Sequence, residues 1–304
     1  MFTFVRDLTP IPPVHDGKSW EGRTYSMFRA VHHTGDGYIT YVRVCVDGMI
    51  CIMRETFDAR WQSRGDAQKM GAEVRAEDPR LVSVGEDLYV VFIGDSPFPG
   101  QFKCIWLLRD GAWEAVPLFV PGLNVIEKNW APFEYKGKLM FVYNYDPLIL
   151  LQCEPSTGKC TVIRGEIPFD TSKTFVRGGS NLLQTSDGGY VGFAHSRLPI
   201  EPSIRPGFLH LTHMVRLNAH LELESISEPV HYITENGETL RQTIQDPVSI
   251  WMEDGQIYST ANVRDNFCEM YKFSEQSWNA RVRRMLETTR DAWYKDKTRQ
   301  AVNK

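Results

Sequence analysis

The segment EDPRLVSVGEDLYVVFIGD (77–95) decides the fold prediction. Apolar and polar residues alternate on both sides of the turn GED, which is typical of two antiparallel strands joined by a tight turn. The start of the segment is unusual, because two acids, a proline and an arginine precede the first strand. Proline lacks a backbone donor and is tolerated at the first position of a strand, where it helps to fix the direction of Asp78. The segment therefore predicts a β-hairpin that presents a carboxylate at one end.

The same pattern of a polar start, a strand, a turn and a second strand recurs along the chain. It is seen in WAPFEYKGKLMFVYNYD (130–146), RGGSNLLQTSDGGYVGFAHS (177–196) and QDPVSIWMEDGQIYSTANVRD (245–265). The second strands begin near Leu88, Leu139, Tyr190 and Ile257, and we interpret WEGRTYSMFRAVHH (20–33) as a fifth copy with its equivalent strand at Tyr25. Further strand pairs lie between the copies. Two hairpins per repeat form a four-stranded blade, so the sequence predicts an all-β, five-bladed β-propeller.

The two ends of the chain complete this domain prediction. The last repeat offers three strands and ends at FCEMYKF (267–273), so MFTFV (1–5) is expected to supply the fourth strand and to close the ring. Residues 1–273 then form a single propeller domain. In residues 274–304, Trp278, Val282 and Met285 begin an apolar series at helical spacing, which predicts a C-terminal amphipathic α-helix packed on the side of the propeller.

Composition narrows the classes of partner and compartment. The chain has 304 residues with 34 Lys and Arg against 38 Asp and Glu, which gives no basic field for nucleic acid. No run reaches the roughly 18 apolar residues of a membrane span, and the N-terminus does not have the pattern of a secretion signal. We therefore expect a cytoplasmic protein with no nucleic acid among its partners and no membrane span, and a homo-oligomer is left open.

The cysteine and histidine motifs predict neither a redox site nor a metal site. The six cysteines form no CxxC pair, so reduced core thiols are expected, although Cys153 and Cys160 flank a turn and could face each other across a hairpin. The motif HLTH (210–213) lacks the helical spacing and the third ligand of a zinc site. No motif demands a metal or another cofactor.

Candidate site residues follow from hairpin geometry. The start of the first strand and the end of the second lie at the same end of an antiparallel hairpin, so these positions in all repeats should surround one end of the central channel. The polar residues and aromatics predicted to meet there are Arg29, Asp78, Arg80, Glu127, Asn129, Trp130, Asn144, Tyr145, Arg177, His195, Arg197, Asp246 and Asp265. Trp130 is as consistent with a core residue as with a platform for sugar.

The chain resembles glycoside hydrolase family 130, the β-mannoside phosphorylases and mannosidases, and the related β-mannosyltransferases. Short motifs within residues 20–273 carry the resemblance: EDPRL, EKNWAPF, RGGSNLLQTSDGGYVGFAHS and DGQIYSTANVRD. The resemblance implies that Asp78 is the catalytic acid/base, that His195 helps to hold phosphate and that Asp265 binds the sugar. Two departures stand out. Phe175 lies where the phosphorylases carry a phosphate-binding lysine, and YSMFRAV in the first repeat lacks the family's asparagine-proline pair.

The predicted activity is the making or breaking of a glycosidic bond with inversion, with Asp78 moving the proton. Several cations at the predicted rim favour glycosyl transfer from a nucleotide sugar or a sugar 1-phosphate, with the donor phosphate held by Arg177, His195 and Arg197. Hydrolysis of a β-mannoside is the alternative and requires a second carboxylate, for which Glu127, Asp246 and Asp265 are available. A non-catalytic carbohydrate-binding propeller is the third hypothesis.

Overall fold

The computed structural model describes residues 3–8, 25–46, 49–65, 67–70, 75–121, 126–167, 176–199, 208–230, 245–263 and 267–274. In these residues, twenty strands form five antiparallel four-stranded sheets, the blades of a propeller. The prediction of an all-β five-bladed propeller is confirmed. The predicted C-terminal helix lies outside the described residues, and so the division of the chain at residue 274 stays a prediction.

The blades follow one another along the chain. Blade I contains β2 (Tyr25–His33), β3 (Gly37–Val46), β4 (Met49–Asp58) and β5 (Gln68–Lys69); blade II contains β6 (Ala76–Val84), β7 (Asp87–Asp95), β8 (Lys103–Arg109) and β9 (Val116–Pro117). Blade III contains β10 (Ala131–Tyr135), β11 (Lys138–Tyr145), β12 (Leu148–Cys153) and β13 (Cys160–Arg164). Blade IV contains β14 (Val176–Gln184), β15 (Tyr190–Pro199), β16 (Phe208–Leu217) and β17 (Leu223–Ile226). Blade V contains β18 (Gln245–Glu253), β19 (Gln256–Val263), β20 (Phe267–Ser274) and β1 (Thr3–Asp7).

Blade V is completed by the N-terminal strand. β1 pairs antiparallel with β20, in the order β1-β20-β19-β18, and the backbone of Leu8 continues the contact with Cys268. Strands from both ends of the described chain therefore share a sheet, and the outer edge of β20 is covered.

Tight turns join the first and second strands of the blades. Lys136 and Gly137 between β10 and β11, and Asp254 and Gly255 between β18 and β19, all have positive φ. Positive φ at both central residues defines the type I′ turn, whose twist matches that of the flanking strands. Side chains of these hairpins alternate between the two faces of each blade, so each blade can bury apolar residues on both sides.

The core consists of layers between neighbouring blades. Val91 and Ile105 of blade II pack in one cluster with Phe141 and Leu151 of blade III, and comparable clusters join blades III and IV, IV and V, V and I, and I and II. The first strands β2, β6, β10, β14 and β18 contact one another around the ring. These five strands line the central channel, so the residues near their starts meet at one end of the channel.

Two sequence interpretations are wrong. The strand at Tyr25 is the first strand of blade I, not the equivalent of the second strands at Leu88 and Leu139, because it heads the order β2-β3-β4-β5. The expectation of reduced thiols also fails for one pair: Cys153 and Cys160 stand opposite each other in the β12–β13 ladder, with Cα atoms 4.0 Å apart, and form a disulfide. The described residues contain no helix of the length and apolarity that a membrane span requires.

Candidate active site

Asp78 stands in a β-bulge at the channel end of β6. The β6–β7 register steps from Glu77 opposite Ile93 to Arg80 opposite Val91, so Asp78 and Pro79 together face one partner residue. Asp78 has φ of 53°, a left-handed conformation that is rare outside glycine and that Asp tolerates better than most side chains. The bulge lifts the carboxylate out of the ladder. A bulge with a strained residue is a frequent device for directing a functional side chain.

Arg43 is the ion-pair partner of the Asp78 carboxylate. It lies near the end of β3 in blade I, and its Nη1 contacts Asp78 Oδ1. Burial raises the pKa of Asp78, since desolvation disfavours the charged form; Arg43 and Arg80 oppose this rise, while Asp246 and Glu77 add to it. The carboxyl is thus poised to bind and release a proton nearer to neutral pH than an exposed aspartate would.

Arg80 ties three blades together behind Asp78. Its Nε donates to the carbonyl of Gly179 in blade IV, Nη1 donates to the carbonyl of Asp78 at 3.3 Å, and Nη2 reaches Asn129 Oδ1 at 3.5 Å. Gly179 is necessary at this place, because a Cβ there would lie 2.5 Å from the ring of Pro247. Burial lowers the pKa of Arg80, and Asp78 and Asp246 counteract that effect. The side chain braces the backbone that carries Asp78.

His195, His210 and Asp246 form a second cluster beside Arg80. Asn129 Nδ2 lies 3.3 Å from His195 Nε2, the rings of His195 and His210 stack with centroids 5.7 Å apart, and His210 Nδ1 lies 2.7 Å from Asp246 Oδ1. Arg177 stands opposite His195 in the β14–β15 ladder, so the two side chains share a face. The cluster joins blades IV and V at the same end of the channel as Asp78.

The two aspartates have opposite environments. Burial raises the pKa of Asp246 as well, but the His210 hydrogen bond together with the charges of His195, His210 and Arg80 outweighs burial and brings its pKa below the usual value. The pKa of Asp78 is raised instead. Two carboxyl groups whose pKa values are pushed apart are typical of a site in which one group moves a proton while the other remains ionised.

Other predicted contact residues are engaged in the protein interior. The Arg29 side chain is buried in blade I, where it pairs with Glu55 and donates to Thr40. This contradicts a rim position for Arg29, which followed from equating β2 with the second strands. The predicted role of Arg29 in substrate binding therefore loses its geometric basis.

Glu127 and Trp130 also lie in the core. Both are almost completely buried, and Glu127 accepts hydrogen bonds from Trp130 Nε1 at 3.1 Å and from the Tyr143 hydroxyl at 3.0 Å. Trp130 packs against Phe141 and Tyr143, so it fills the interface between blades II and III instead of forming an exposed platform for sugar. Of its two sequence interpretations, the core residue is the one that the structure supports.

The end of β11 places two buried polar residues near the cluster. Asn144 Nδ2 donates to the carbonyl of Pro147 at 2.8 Å, and the Tyr145 hydroxyl is buried without a hydrogen-bond partner in the described part of the chain. Burial raises the pKa of Tyr145 and Arg80 lowers it, which places the hydroxyl within electrostatic reach of that guanidinium. Arg197 lies in β15 opposite His210 in the ladder, and Asp265 lies outside the described residues.

Sequence reasoning missed Arg43 and His210. Arg43 lies near the end of β3, the second strand of blade I, where hairpin geometry predicts site residues. It was missed because the sequence comparison equated β2, the first strand of this blade, with the second strands of the other repeats. His210 belongs to the HLTH motif, which was considered only for zinc. Groups of three or more His, Cys, Asp or Glu side chains placed to hold a metal ion do not occur in the described residues.

A pocket lies at the end of the channel that is opposite to Asp78. It has a volume of about 300 Å³ and is lined by the turn ends of the first strands, including His32, His33, Gln184 and Trp251. Neither Asp78 nor Asp246 borders it. The bulge, the partly buried ion pair and the opposed pKa shifts occur together at the Asp78 end, which is therefore the candidate active site.

Comparison with known proteins gives one short sequence match and several matches of fold. No protein-family model matches the chain. A segment of 61 residues is 43% identical to β-mannosyltransferase 3 of Candida albicans; it covers 19% of this chain and 11% of that protein. The chain is thus matched to a small part of that curated relative's length.

Solved structures share the fold over most of the chain. The β-1,2-mannobiose phosphorylase of Listeria innocua is 13% identical with a TM-score of 0.61, covering 90% of this chain and 96% of that one. A GDP-Man-dependent mannosyltransferase of Leishmania mexicana is 10% identical with a TM-score of 0.52, covering 83% and 85%. A third structure comes from the GH130 family of mannoside phosphorylases, which contains glycoside hydrolases that target β-1,2 mannosidic linkages in Candida mannan. It is 11% identical with a TM-score of 0.53, covering 90% of this chain and 95% of that one. At these identities the similarity shows the propeller fold.

Proposed function

We propose that this chain is a carbohydrate-active enzyme that makes or breaks a β-mannosidic bond with inversion, and that Asp78 is its proton-transfer residue. The observation that carries the proposal is the partly buried Asp78 carboxyl, lifted by a bulge to the channel end and paired with Arg43. General acid/base catalysis needs a carboxyl whose pKa lies closer to the working pH than that of a free aspartate, and burial of Asp78 acts in that direction.

Glycosyl transfer from a phosphorylated donor is the favoured reaction. Arg177 and His195 lie at the same end of the channel as Asp78, and cationic side chains of this kind stabilise the charge that develops on a departing phosphate. An acceptor hydroxyl oxygen forms the new bond to the anomeric carbon, and its proton passes to Asp78. The bond from that carbon to the phosphate oxygen breaks, the electron pair leaves with the phosphate, and attack from the opposite side inverts the centre.

The comparisons support this reaction class. The matched segment of 61 residues belongs to a protein named as a β-mannosyltransferase, and propellers of the same fold include a mannobiose phosphorylase and a GDP-Man-dependent mannosyltransferase. One of these is named as a phosphorylase of mannobiose, and the other two are named as mannosyltransferases. A nucleotide-linked mannose or mannose 1-phosphate is therefore the proposed donor, and a short mannoside is the proposed acceptor.

Hydrolysis remains the second candidate because of Asp246. A hydrolase requires a carboxylate that activates water opposite the general acid. Glu127 is hydrogen-bonded inside the core, whereas Asp246 lies in the candidate site and has a lowered pKa, which keeps it ionised. In this alternative Asp78 protonates the leaving oxygen and Asp246 acts as the base.

Phosphorus NMR tests the proposal. Wild-type protein, Asp78→Asn and the surface control Asp87→Asn are incubated with GDP-mannose or mannose 1-phosphate, each with a short β-mannoside acceptor. We expect free GDP or inorganic phosphate to appear only with acceptor present, with wild type and Asp87→Asn but not with Asp78→Asn. If both donors persist while the β-mannoside is cleaved in phosphate-free buffer, the protein is a hydrolase.

The cytoplasmic location also stays a proposal. The Cys153–Cys160 disulfide opposes it, because stable disulfides are typical of oxidising compartments. Mass spectrometry of the protein from its native source, alkylated before lysis, tests the location: two alkylated thiols at Cys153 and Cys160 are expected in a reducing cytosol, and an intact disulfide would contradict it.

A further inference from the structure

His210 lies between His195, the candidate phosphate ligand, and the carboxylate of Asp246. Its ring stacks on His195 at an interplanar angle of 19°, and its Nδ1 hydrogen-bonds to Asp246 Oδ1. Asp246 is 8% exposed and stands in β18 of blade V, whereas both histidines come from blade IV. The contact between His210 and Asp246 therefore fixes the separation of the two blades at the channel end.

The Asp246 carboxylate would weaken phosphate binding at His195 unless another group already holds it, because both are anions. His195, His210 and Arg80 all interact electrostatically with Asp246, so the same cations that would attract a donor phosphate also attract this carboxylate. Besides His210, the groups whose charges act on the Asp246 carboxyl are His195 and Arg80. Pairing with either of them would withdraw a group from the proposed phosphate position or from the brace of Asp78.

We propose that His210 is a positioning residue: by holding Asp246 and stacking on His195, it keeps His195 directed to the phosphate of the donor. This inference rests on the proposed function, since it assumes a phosphorylated ligand at His195. It assigns a role to the HLTH motif that is independent of metal binding. It also gives Asp246 a structural use in a transferase, in contrast to its use as a base in a hydrolase.

Titration of GDP and of inorganic phosphate by calorimetry tests the proposal without requiring turnover. His210→Phe keeps an aromatic ring but removes the hydrogen bond to Asp246, and we expect both anions to bind roughly tenfold more weakly. His210→Gln retains a donor for Asp246 and should bind within about threefold of wild type. In the double variant His210→Phe with Asp246→Asn, the anion is absent, so affinity should return towards the wild-type value. His220→Ala, in an exposed turn, is the control.

A nitrogen-15 NMR measurement of the His195 ring supplies a readout that general destabilisation would not move. With Asp246 released in His210→Phe, we expect the His195 ring nitrogens to shift as His195 turns to the carboxylate, and the shift to disappear in the double variant. Equal anion affinity in wild type and His210→Phe overturns the inference, as does a double variant no better than His210→Phe. Wild-type protein that binds neither anion would instead overturn the phosphorylated donor, and with it this role of His210.

Discussion

Asp78 differs from an ordinary surface aspartate in three properties. Its φ of 53° is strained, its carboxyl is largely removed from water, and its ion-pair partner comes from another blade. Backbone strain of this kind costs about 1–3 kcal/mol and persists where the surrounding structure enforces it. The bulge at Pro79 and the brace from Arg80 provide that enforcement.

The Arg43–Asp78 pair predicts a specific change in the pH dependence of activity. Burial raises the pKa of Asp78, and Arg43 is the largest influence that opposes the rise. In Arg43→Met the pKa of Asp78 therefore rises further. Because transfer requires the carboxylate form, the acidic limb of the kcat/KM profile should move to higher pH. Arg64→Met, which breaks an exposed pair with Asp36, is the control and should leave the limb in place. An unmoved limb in Arg43→Met would show that Arg43 does not govern the proton on Asp78.

Glu127 predicts the opposite behaviour, a loss of stability without a change in chemistry. Its buried carboxyl group accepts from both Trp130 and Tyr143. In Glu127→Gln an NH2 group replaces one of the two oxygens and cannot accept the second hydrogen bond. We expect the free energy of unfolding to fall by about 1–3 kcal/mol in urea denaturation, with unchanged kcat per folded molecule. Exposed Glu114→Gln is the control. Equal stability with a raised KM would restore Glu127 to the substrate site.

At the scale of elements, hairpins whose turns carry a sequence signature were predictable. Gly137 and Gly255 adopt the positive φ that glycine readily accepts, and the strands on either side have the predicted pairing. Blade I was misaligned because the strand at Tyr25 was matched by its apolar pattern, which first and second strands share. The sequence pattern does not show which strand faces the channel.

The β12–β13 hairpin gives a prediction about its disulfide. A cross-link across so short a loop stabilises by about 2 kcal/mol in the chain-entropy account. Dithiothreitol should therefore lower the free energy of unfolding of the wild type by about that amount. The variant Cys153→Ala with Cys160→Ala should begin at the lower stability and not respond to the reductant. A wild type indifferent to full reduction would contradict this contribution.

At the scale of the whole molecule, closure of the ring depends on β1. Removing residues 3–8 uncovers the edge of β20 and takes Leu8 from its cluster with Trp251 and Met270. The thermal midpoint should fall by roughly 6 °C or more, and light scattering should show self-association through the free edge. Leu8→Ala, which keeps the strand, should lower the midpoint less and stay unassociated. Equal midpoints for the truncated and intact proteins would mean that β1 does not close the ring.

The repeat, the blade count and the position of Asp78 were within reach of sequence, because each depends on local pattern. The pairings Arg43–Asp78 and His210–Asp246 were not, since they join residues of different blades. Arg29 shows the same limit: its partner Glu55 comes from a strand two places away in blade I, and nothing in its own neighbourhood indicates burial.

The most direct test of Asp78 as the proton-transfer residue compares turnover with binding in Asp78→Asn. Initial rates are measured with GDP-mannose and a short β-mannoside acceptor, and GDP-mannose binding is measured by calorimetry on the same preparations. We expect kcat to fall by at least about 100-fold while the dissociation constant changes little, because the amide keeps the shape of the side chain but cannot take a proton. Turnover by Asp78→Asn within about twofold of wild type would contradict it.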